Sequence, residues 1–181
     1  MAGDVLEGED PEQADMMDEM CILVDEGDMP IGSASKLDCH RGAGLRHRAF
    51  SVLIFDEQNR LLLQKRASDK ITFPGVWANS CCSHPLDIEG ERETDDASGV
   101  RNAAVRKMEQ ELGIPIGTIS QESLQFVTRI EYEARMNEVW VEHEIDHVLV
   151  TRANVEVNPN PNEIDECRWV TQNELEDMVK A

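Results

Sequence analysis

Positive charge is scarce in this chain of 181 residues: 17 lysines and arginines face 37 aspartates and glutamates, a formal net charge of −20. Nucleic acids and anionic membrane surfaces require a basic patch, so this balance argues against both as partners. Aromatic residues make up only 4%, including three tryptophans and a single tyrosine. No apolar stretch reaches the roughly 20 residues that would span a bilayer, and the N-terminus lacks a basic-then-apolar signal pattern. A cytoplasmic protein is therefore expected. The five cysteines (Cys21, Cys39, Cys81, Cys82, Cys167) are odd in number and follow no disulfide-scaffold spacing, so reduced thiols are expected. Cys81 and Cys82 are adjacent, which is neither a redox nor a zinc Cys-x-x-Cys motif.

What remains is ample for one globular domain. Hydrophobic residues account for 40%, and the length suits a single sizeable core. The acidity has two readings. One is a halophilic, salt-adapted surface whose self-repulsion is screened in a salty cytoplasm. The other is an acidic tail on an ordinary domain. Acidic residues continue through 87–96, 131–146 and 163–177, so a tail accounts for only part, and salt adaptation is the favoured reading. Residues 1–18 are acidic without a firm helix or strand signal and read as a mobile arm; 19–181 read as the domain.

Within that domain, 20–24 is a short apolar run followed by turn chemistry at 26–32. Residues 49–55 and 61–64 read as strands joined by a hairpin loop, Asp56-Glu-Gln-Asn-Arg60. Phe73-Pro-Gly-Val-Trp77 breaks the chain. Ala97, Val100, Ala104, Met108 and Leu112 recur at helical spacing, with Gly113 and Pro115 as the stop. Residues 124–133 and 139–151 read as a second strand pair and 167–170 as a further strand. Thr171 with Glu174 forms a capping box for a last helix. Strands around one strong central helix predict an α/β (α+β) fold: one mixed sheet packed between helices.

Three groups of residues carry chemical potential. His40, His47 and His84 sit in loop-like places, and Glu142 and Glu144 share one strand face because strand side chains alternate. Three imidazoles and two carboxylates suit Zn²⁺, Mn²⁺ or Fe²⁺ rather than Ca²⁺; an exposed acidic strand face is the alternative. Lys36, Arg66 and Lys70 stand out in a cation-poor chain and are the donor types a diphosphate needs; ordinary surface charge is the alternative. Third, the helix ends in Arg106-Lys-Met-Glu-Gln-Glu-Leu-Gly-Ile114, which resembles a decayed Nudix box. Arg106, Met108, Glu111, Gly113 and Ile114 match. Arg92, Ser98, Lys107 and Gln110 replace the glycine and three of the glutamates. A diphosphate-cleaving hydrolase of that family lacks its carboxylate platform here, while gripping a diphosphate through one Glu-bound Mg²⁺ is still open.

This altered box occurs in order with Lys36-(3)-His40-(6)-His47, Gln64-Lys-Arg66, the run Phe73-Pro-Gly-Val-Trp-Ala-Asn-Ser-Cys-Cys-Ser-His-Pro85, and Glu142-His-Glu144. Together they closely resemble the type I isopentenyl diphosphate isomerases over about residues 20–178. The resemblance implies a single Nudix-like domain that interconverts isopentenyl and dimethylallyl diphosphate. His40, His47, His84, Glu142 and Glu144 fall on the family's metal ligands, for Mn²⁺ or Zn²⁺. Cys82 falls on its catalytic cysteine. Glu111 with the Cys82 carbonyl falls on the site of a Mg²⁺ that the diphosphate also coordinates. Lys36, Arg66 and Lys70 fall on diphosphate-binding positions, with Lys107 in place of an Arg. Tyr132 falls beside Glu144, and Trp77 on a pocket position. A monomer or a homodimer is expected.

The chemistry agrees with this assignment of roles. Moving a double bond by one carbon adds a proton to one carbon and removes one from another, through a tertiary carbocation. It needs a dry pocket with a proton donor and a base on opposite sides: Glu144 assisted by Tyr132, and Cys82. One departure stands out. The family's C-terminal Trp-bearing segment, which covers the site, has no counterpart before Ala181, so the natural product is expected to continue. A diphosphohydrolase and an inactive binding protein are the competing readings. The missing box carboxylates oppose the first, and the presence of both Cys82 and the full ligand set opposes the second.

The net charge generates a first prediction. As salt rises from 0.1 M to 1 M the Debye length shrinks from roughly 10 Å to about 3 Å, so the melting temperature and activity should both rise. A flat or falling melting temperature across that range would refute salt adaptation.

Overall fold

A computed structural model describes residues 5–180. Its elements are α1 (Pro11–Met16), β1 (Met20–Val24), β2 (Pro30–Ser35), α2 (Lys36–Cys39), β3 (His47–Phe55), β4 (Leu61–Arg66), β5 (Trp77–Ala78), β6 (Cys81–Ser83), α3 (Ser98–Leu112), β7 (Gln125–Arg135), β8 (Val141–Arg152), β9 (Ile164–Val170) and α4 (Gln172–Lys180). The nine strands form one mixed sheet, the α+β arrangement expected from the sequence.

The sheet is organised around β3. One of its edges pairs in parallel with β8 along its whole length, from His47↔Glu144 to Phe55↔Arg152. Three antiparallel partners share the other edge in succession: β1 at His47, β6 at 50–52 and β4 at Phe55. The β3–β4 link is the expected hairpin, with Asp56 Oδ1 accepting from the Gln58 and Arg60 amides and Asn59 left-handed at φ 60°. The expected second strand pair is β7 against β8.

Alternation along β3 divides the interior. Phe50, Val52 and Ile54 face α3 and pack with Val100, Ala104, Met108 and Leu112 in the main core. Each such buried side chain contributes roughly 1.5–3 kcal/mol. Leu53 and Phe55, on the other face, join Leu61, Leu63 and Val170 beneath Leu175 and Met178 of α4. The sheet therefore lies between α3 and α4. The capping box at α4 is present: the Thr171 amide donates to Glu174 Oε2 at 2.7 Å, and the Glu174 amide to Thr171 Oγ1 at 3.4 Å.

The arm expected over 1–18 is corrected from Asp10 onward; residues 1–4 lie outside the described residues. Asp10 caps α1 by accepting from the Glu12 and Gln13 amides. Gln13, Met16 and Met17 are buried, and Asn162 Nδ2 donates to Asp10 Oδ1 at 2.8 Å. Acidic composition hid this segment because its anchors are one glutamine and two methionines, with no helical period to reveal them.

The end of α3 couples two regions. Gly113 adopts φ +64°, and its amide and that of Ile114 close the helix onto Glu109 and Met108. The Asn158 and Asn160 amides donate to the Leu112 and Glu111 carbonyls, both at 2.8 Å. A Cβ at Gly113 would lie 2.3 Å from the Asn158 carbonyl oxygen. Gly113→Ala should therefore destabilise the fold by at least about 2 kcal/mol, combining left-handed strain with a backbone clash. An unchanged urea midpoint would contradict this.

Candidate functional site

Four segments bring the expected donors to one point. His40 ends α2, His47 opens β3, His84 follows β6, and Glu144 lies on β8 directly opposite His47. Their ligand atoms lie within 4.8 Å of one another. Glu144 Oε1 is 2.9 Å from His84 Nε2, 3.4 Å from His47 Nε2 and 3.8 Å from His40 Nε2. Backbone carbonyls orient two of the rings: His40 Nδ1 meets the Lys36 carbonyl at 2.8 Å and His47 Nδ1 the Leu45 carbonyl at 2.7 Å. A proton on each Nδ1, held by a backbone carbonyl, turns the Nε2 atoms toward Glu144, the orientation that metal-ligating histidines use.

Electrostatics divide the donors: burial disfavours protonation of His47, but the hydrogen bond and charge of Glu144 raise it above the ordinary histidine value, whereas His40 and His84 are held unprotonated. Burial, reinforced by the neighbouring imidazoles, pushes His40 down to about 2. Burial likewise takes His84 down to about 4, against the pull of Glu144. Burial opposes ionisation of Glu144, yet its contacts with His47 and His84 hold it well below the usual carboxylate range. Apart from the 3.4 Å approach of Glu144 Oε1, buried His47 Nε2 has no hydrogen-bond partner, which is costly in a protein interior. Three nitrogens and one carboxylate oxygen of this kind fit a divalent ion of the zinc or manganese type.

Glu142 is not part of this four-donor set. Two residues along β8 it is displaced by about 7 Å of strand rise, and its Oε2 accepts from the Tyr132 hydroxyl at 3.2 Å. The same hydroxyl is 2.6 Å from Glu144 Oε2. Burial and the Glu144 charge push Glu142 up to about 7. Burial and both carboxylates keep Tyr132 protonated.

A cleft of about 180 Å³ opens beside the cluster, lined by Lys36, Arg66, Lys70, Lys107, Glu111, Cys82, Tyr132, Glu142 and Glu144 among others. Register separates the two thiols. Pairing Val52↔Cys81 and Ser51↔Cys82 turns Cys81 into the α3 core and Cys82 toward the cleft. Cys81 is fully buried, 3.6 Å from Glu111 Oε2. Burial pushes Cys82 up to about 11 despite the Arg66 guanidinium, so it rests as a thiol.

The cations are held rather than loose. Arg66 donates to the Phe73 carbonyl at 3.0 Å and the Thr72 carbonyl at 2.7 Å, leaving Nη1 3.9 Å from Cys82 Sγ. Lys107 is buried and paired with Glu111 at 3.1 Å, which together with Glu163 holds it charged against the cost of burial. Arg106 forks onto Glu91 at 2.6 and 2.9 Å and reaches the His84 carbonyl at 3.3 Å, steadying the segment that carries His84.

Trp77 departs from expectation. Val76 and Ala78 line the cleft, but alternation turns Trp77 the other way, into the cluster of Leu61, Leu63 and Val170, with Arg168 over its ring at 5.0 Å. Asp146 and Ser51 are among the cleft residues that escaped the sequence reading. Asp146 continues the Glu142–Glu144 alternation, which could have revealed it; one oxygen accepts from Ser51 Oγ at 2.8 Å and the other has no partner. Ser51 carried no signal of its own.

Comparison with known proteins identifies the fold and the family. The NUDIX domain model matches residues 45–181. Among solved structures, a Deinococcus radiodurans protein superposes with a TM-score of 0.59 at 20% identity, covering 90% of this chain and 89% of its own. A MutT NUDIX hydrolase from Burkholderia pseudomallei gives 0.52 at 20% identity, covering 69% and 82%. At that identity the likeness speaks for the fold alone. Curated sequences are much nearer: isopentenyl-diphosphate delta-isomerase of Schizosaccharomyces pombe is 51% identical over 93% of this chain and 77% of its own length. Isopentenyl-diphosphate Delta-isomerase 1 of Bos taurus is 49% identical over 94% and 77%. Among the described residues no helix is long and apolar enough to cross a membrane. Identity of 51% spread over nearly the whole chain, on a NUDIX fold, leaves one conclusion: the chain belongs to the isopentenyl-diphosphate delta-isomerase family.

Proposed function

We propose that this protein interconverts isopentenyl and dimethylallyl diphosphate, with its own residues in the following roles. Lys36, Arg66, Lys70 and Lys107 hold the diphosphate and fix the short hydrocarbon chain away from them. Cys82 and the Tyr132–Glu142–Glu144 group exchange protons with the hydrocarbon. One proton goes to the terminal methylene carbon and another leaves the methylene beyond the branching carbon. In the reverse direction the donor and acceptor trade roles.

A single observation carries this reading: the two proton-carrying groups sit on strands that pair with opposite edges of β3. Cys82 is on β6, and Glu142 and Glu144 are on β8. Two strand spacings separate those backbones by about 10 Å, so side chains reaching inward leave room for a flat five-carbon unit between them. Protonation from one side and deprotonation from the other then need no movement of the substrate. A hydrolytic site has no use for a thiol facing a carboxylate–tyrosine group across such a gap.

Mn²⁺ or Zn²⁺ fits the set His40, His47, His84 and Glu144, where its charge would orient Glu144 and adjust its proton affinity. Glu111 and the Cys82 carbonyl would hold a Mg²⁺ that offsets diphosphate charge. Tyr132 holds Glu144 toward the cleft and keeps Glu142 within the same proton network. Phe50 and Phe73 line the cleft as well, and their rings help exclude water from a developing cation.

Incubation with isopentenyl diphosphate and Mg²⁺ should yield dimethylallyl diphosphate and no phosphate; phosphate release alone would overturn the reading in favour of a hydrolase. Cys82→Ala should reduce turnover by at least about 10²-fold, the usual contribution of a positioned acid or base. Cys81→Ala should stay within a few-fold of the parent while losing about 1 kcal/mol of stability from its core site. The reverse pattern would show that the segment's assignment is one residue out of step.

Metal content separates the carboxylates. Elemental analysis should find close to one transition-type ion per chain in the parent and a small fraction of that in His47→Ala and Glu144→Ala. Glu142→Ala should keep the ion yet lose activity, because Glu142 stands outside the four-donor set. Full occupancy in the first two variants would remove the ligand assignment.

A further inference from the structure

Lys70 reaches the cleft from a stretch without regular structure, 67–72, between β4 and β5. A lysine there would ordinarily sample many rotamers. It does not do so here, because its Nζ is paired with Glu163, whose side chain is only 2% exposed against 9% for the lysine. The backbone repeats the link: the Ala67 amide donates to the Glu163 carbonyl at 3.0 Å. The other oxygen of Glu163 accepts from Gln13 Nε2 at 3.2 Å, and that same nitrogen is 2.9 Å from the Asn162 carbonyl. A continuous buried chain therefore runs from α1 through Gln13 and Glu163 to Lys70 and the cleft.

We propose that Glu163 is a positioning residue for the diphosphate end of the site, and that Gln13 of the N-terminal helix positions Glu163 in turn. This rests on the diphosphate reading of the cleft given above. Two opposing effects have to be weighed. Removing a carboxylate near an anionic ligand would by itself tighten binding. Freeing Lys70 would weaken it, because the lysine's rotamer entropy, already lost in the free protein, would then be lost on binding. Lys70 lines the cleft and Glu163 does not, so the carboxylate acts on the ligand through the lysine and its direct repulsion is masked. Positioning is the larger effect. Burial disfavours ionisation of Glu163, yet Lys70 and Lys107 bring it down to about 2, so Glu163 stays ionised at any working pH.

The test is calorimetric binding of inorganic pyrophosphate, at fixed Mg²⁺, to the whole chain and to single and double variants. Lys70→Ala should weaken binding. Glu163→Gln should weaken it by about five- to tenfold, within the usual range for a directly coupled pair, and should add no further loss in the Lys70→Ala background. Gln13→Ala should give a smaller loss that also disappears without Lys70. A purely structural role would lower affinity equally in both backgrounds, and that result overturns the proposal, as does unchanged or tighter binding by Glu163→Gln. If Glu163→Gln does not fold, Gln13→Ala decides alone: a Lys70-dependent loss supports the proposal and no loss overturns it. If Lys70→Ala binds like the parent, the diphosphate role of Lys70 fails and the positioning role falls with it. If Lys70→Ala weakens binding and Glu163→Gln does not, only the positioning role fails.

Discussion

The arrangement depends first on a buried carboxylate facing three buried imidazoles. Glu144 is 5% exposed, and His40 and His47 are 1% and 0%. A group of that polarity in a protein interior is tolerated only when its charge is shared and its hydrogen bonds are fixed. Both conditions trace to β3. Its parallel pairing with β8 sets His47 beside Glu144, its antiparallel pairing with β6 delivers the segment leading to His84, and the Lys36 carbonyl holds His40 from the helix just before. A one-residue slip between β3 and β8 would turn Glu144 into the opposite face and dissolve the cluster. The hydrophobic alternation that keeps Val52 and Ile54 in the core therefore also fixes the chemistry.

The same economy governs the cationic end. Two of the cleft lysines are tied to buried glutamates: Lys107 to Glu111 and Lys70 to Glu163. Lys36 is pushed below the ordinary lysine range by burial and by those two neighbours. Crowding cations in a low-dielectric cleft makes them avid for a polyanion, but it is unfavourable while the cleft holds none. Glu111 and Glu163 offset that cost from outside the reacting region. The altered Nudix box fits this picture: where a hydrolase would place further carboxylates, Lys107 contributes charge of the opposite sign.

Much of the fold was legible because its signals are local. The hairpin at 56–60, the helix with its Gly113 stop and the Thr171–Glu174 box each follow from a few adjacent residues, and all are present. The helix begins at Ser98 rather than Ala97, whose φ of 54° no helical period can foretell. Legibility failed where partners are distant. Gln13 and Glu163 are 150 residues apart, and nothing near either names the other. Trp77 is assigned by resemblance alone, and alternation along β5 turns it away from the cleft; Glu142 shares a strand face with Glu144, but the rise along β8 leaves it outside the four-donor set. Asp146 was within reach of the same alternation that paired Glu142 with Glu144. The donor set was the readiest to read, since histidines are few and His40, His47 and His84 each stand beside a turn or strand end.

A chain of net charge −20 that holds a site for a polyanion presents an apparent contradiction, which distance resolves. Beyond a Debye length, about 8 Å at physiological ionic strength, exposed charges scarcely act on the ligand. The acidic residues lie largely on the exposed surface; among the described residues, β7 and α4 carry them openly. In the proposed site the lysines of the cleft would be poorly screened from a bound phosphate, because Lys36 and Lys107 are 9% and 2% exposed. Affinity is then set by the few buried cations, whereas the acidic surface acts on the rate of approach and on the solubility of the whole. The two can vary independently, so an acidic surface can be acquired without rebuilding the site, provided the cations that matter stay buried and tied.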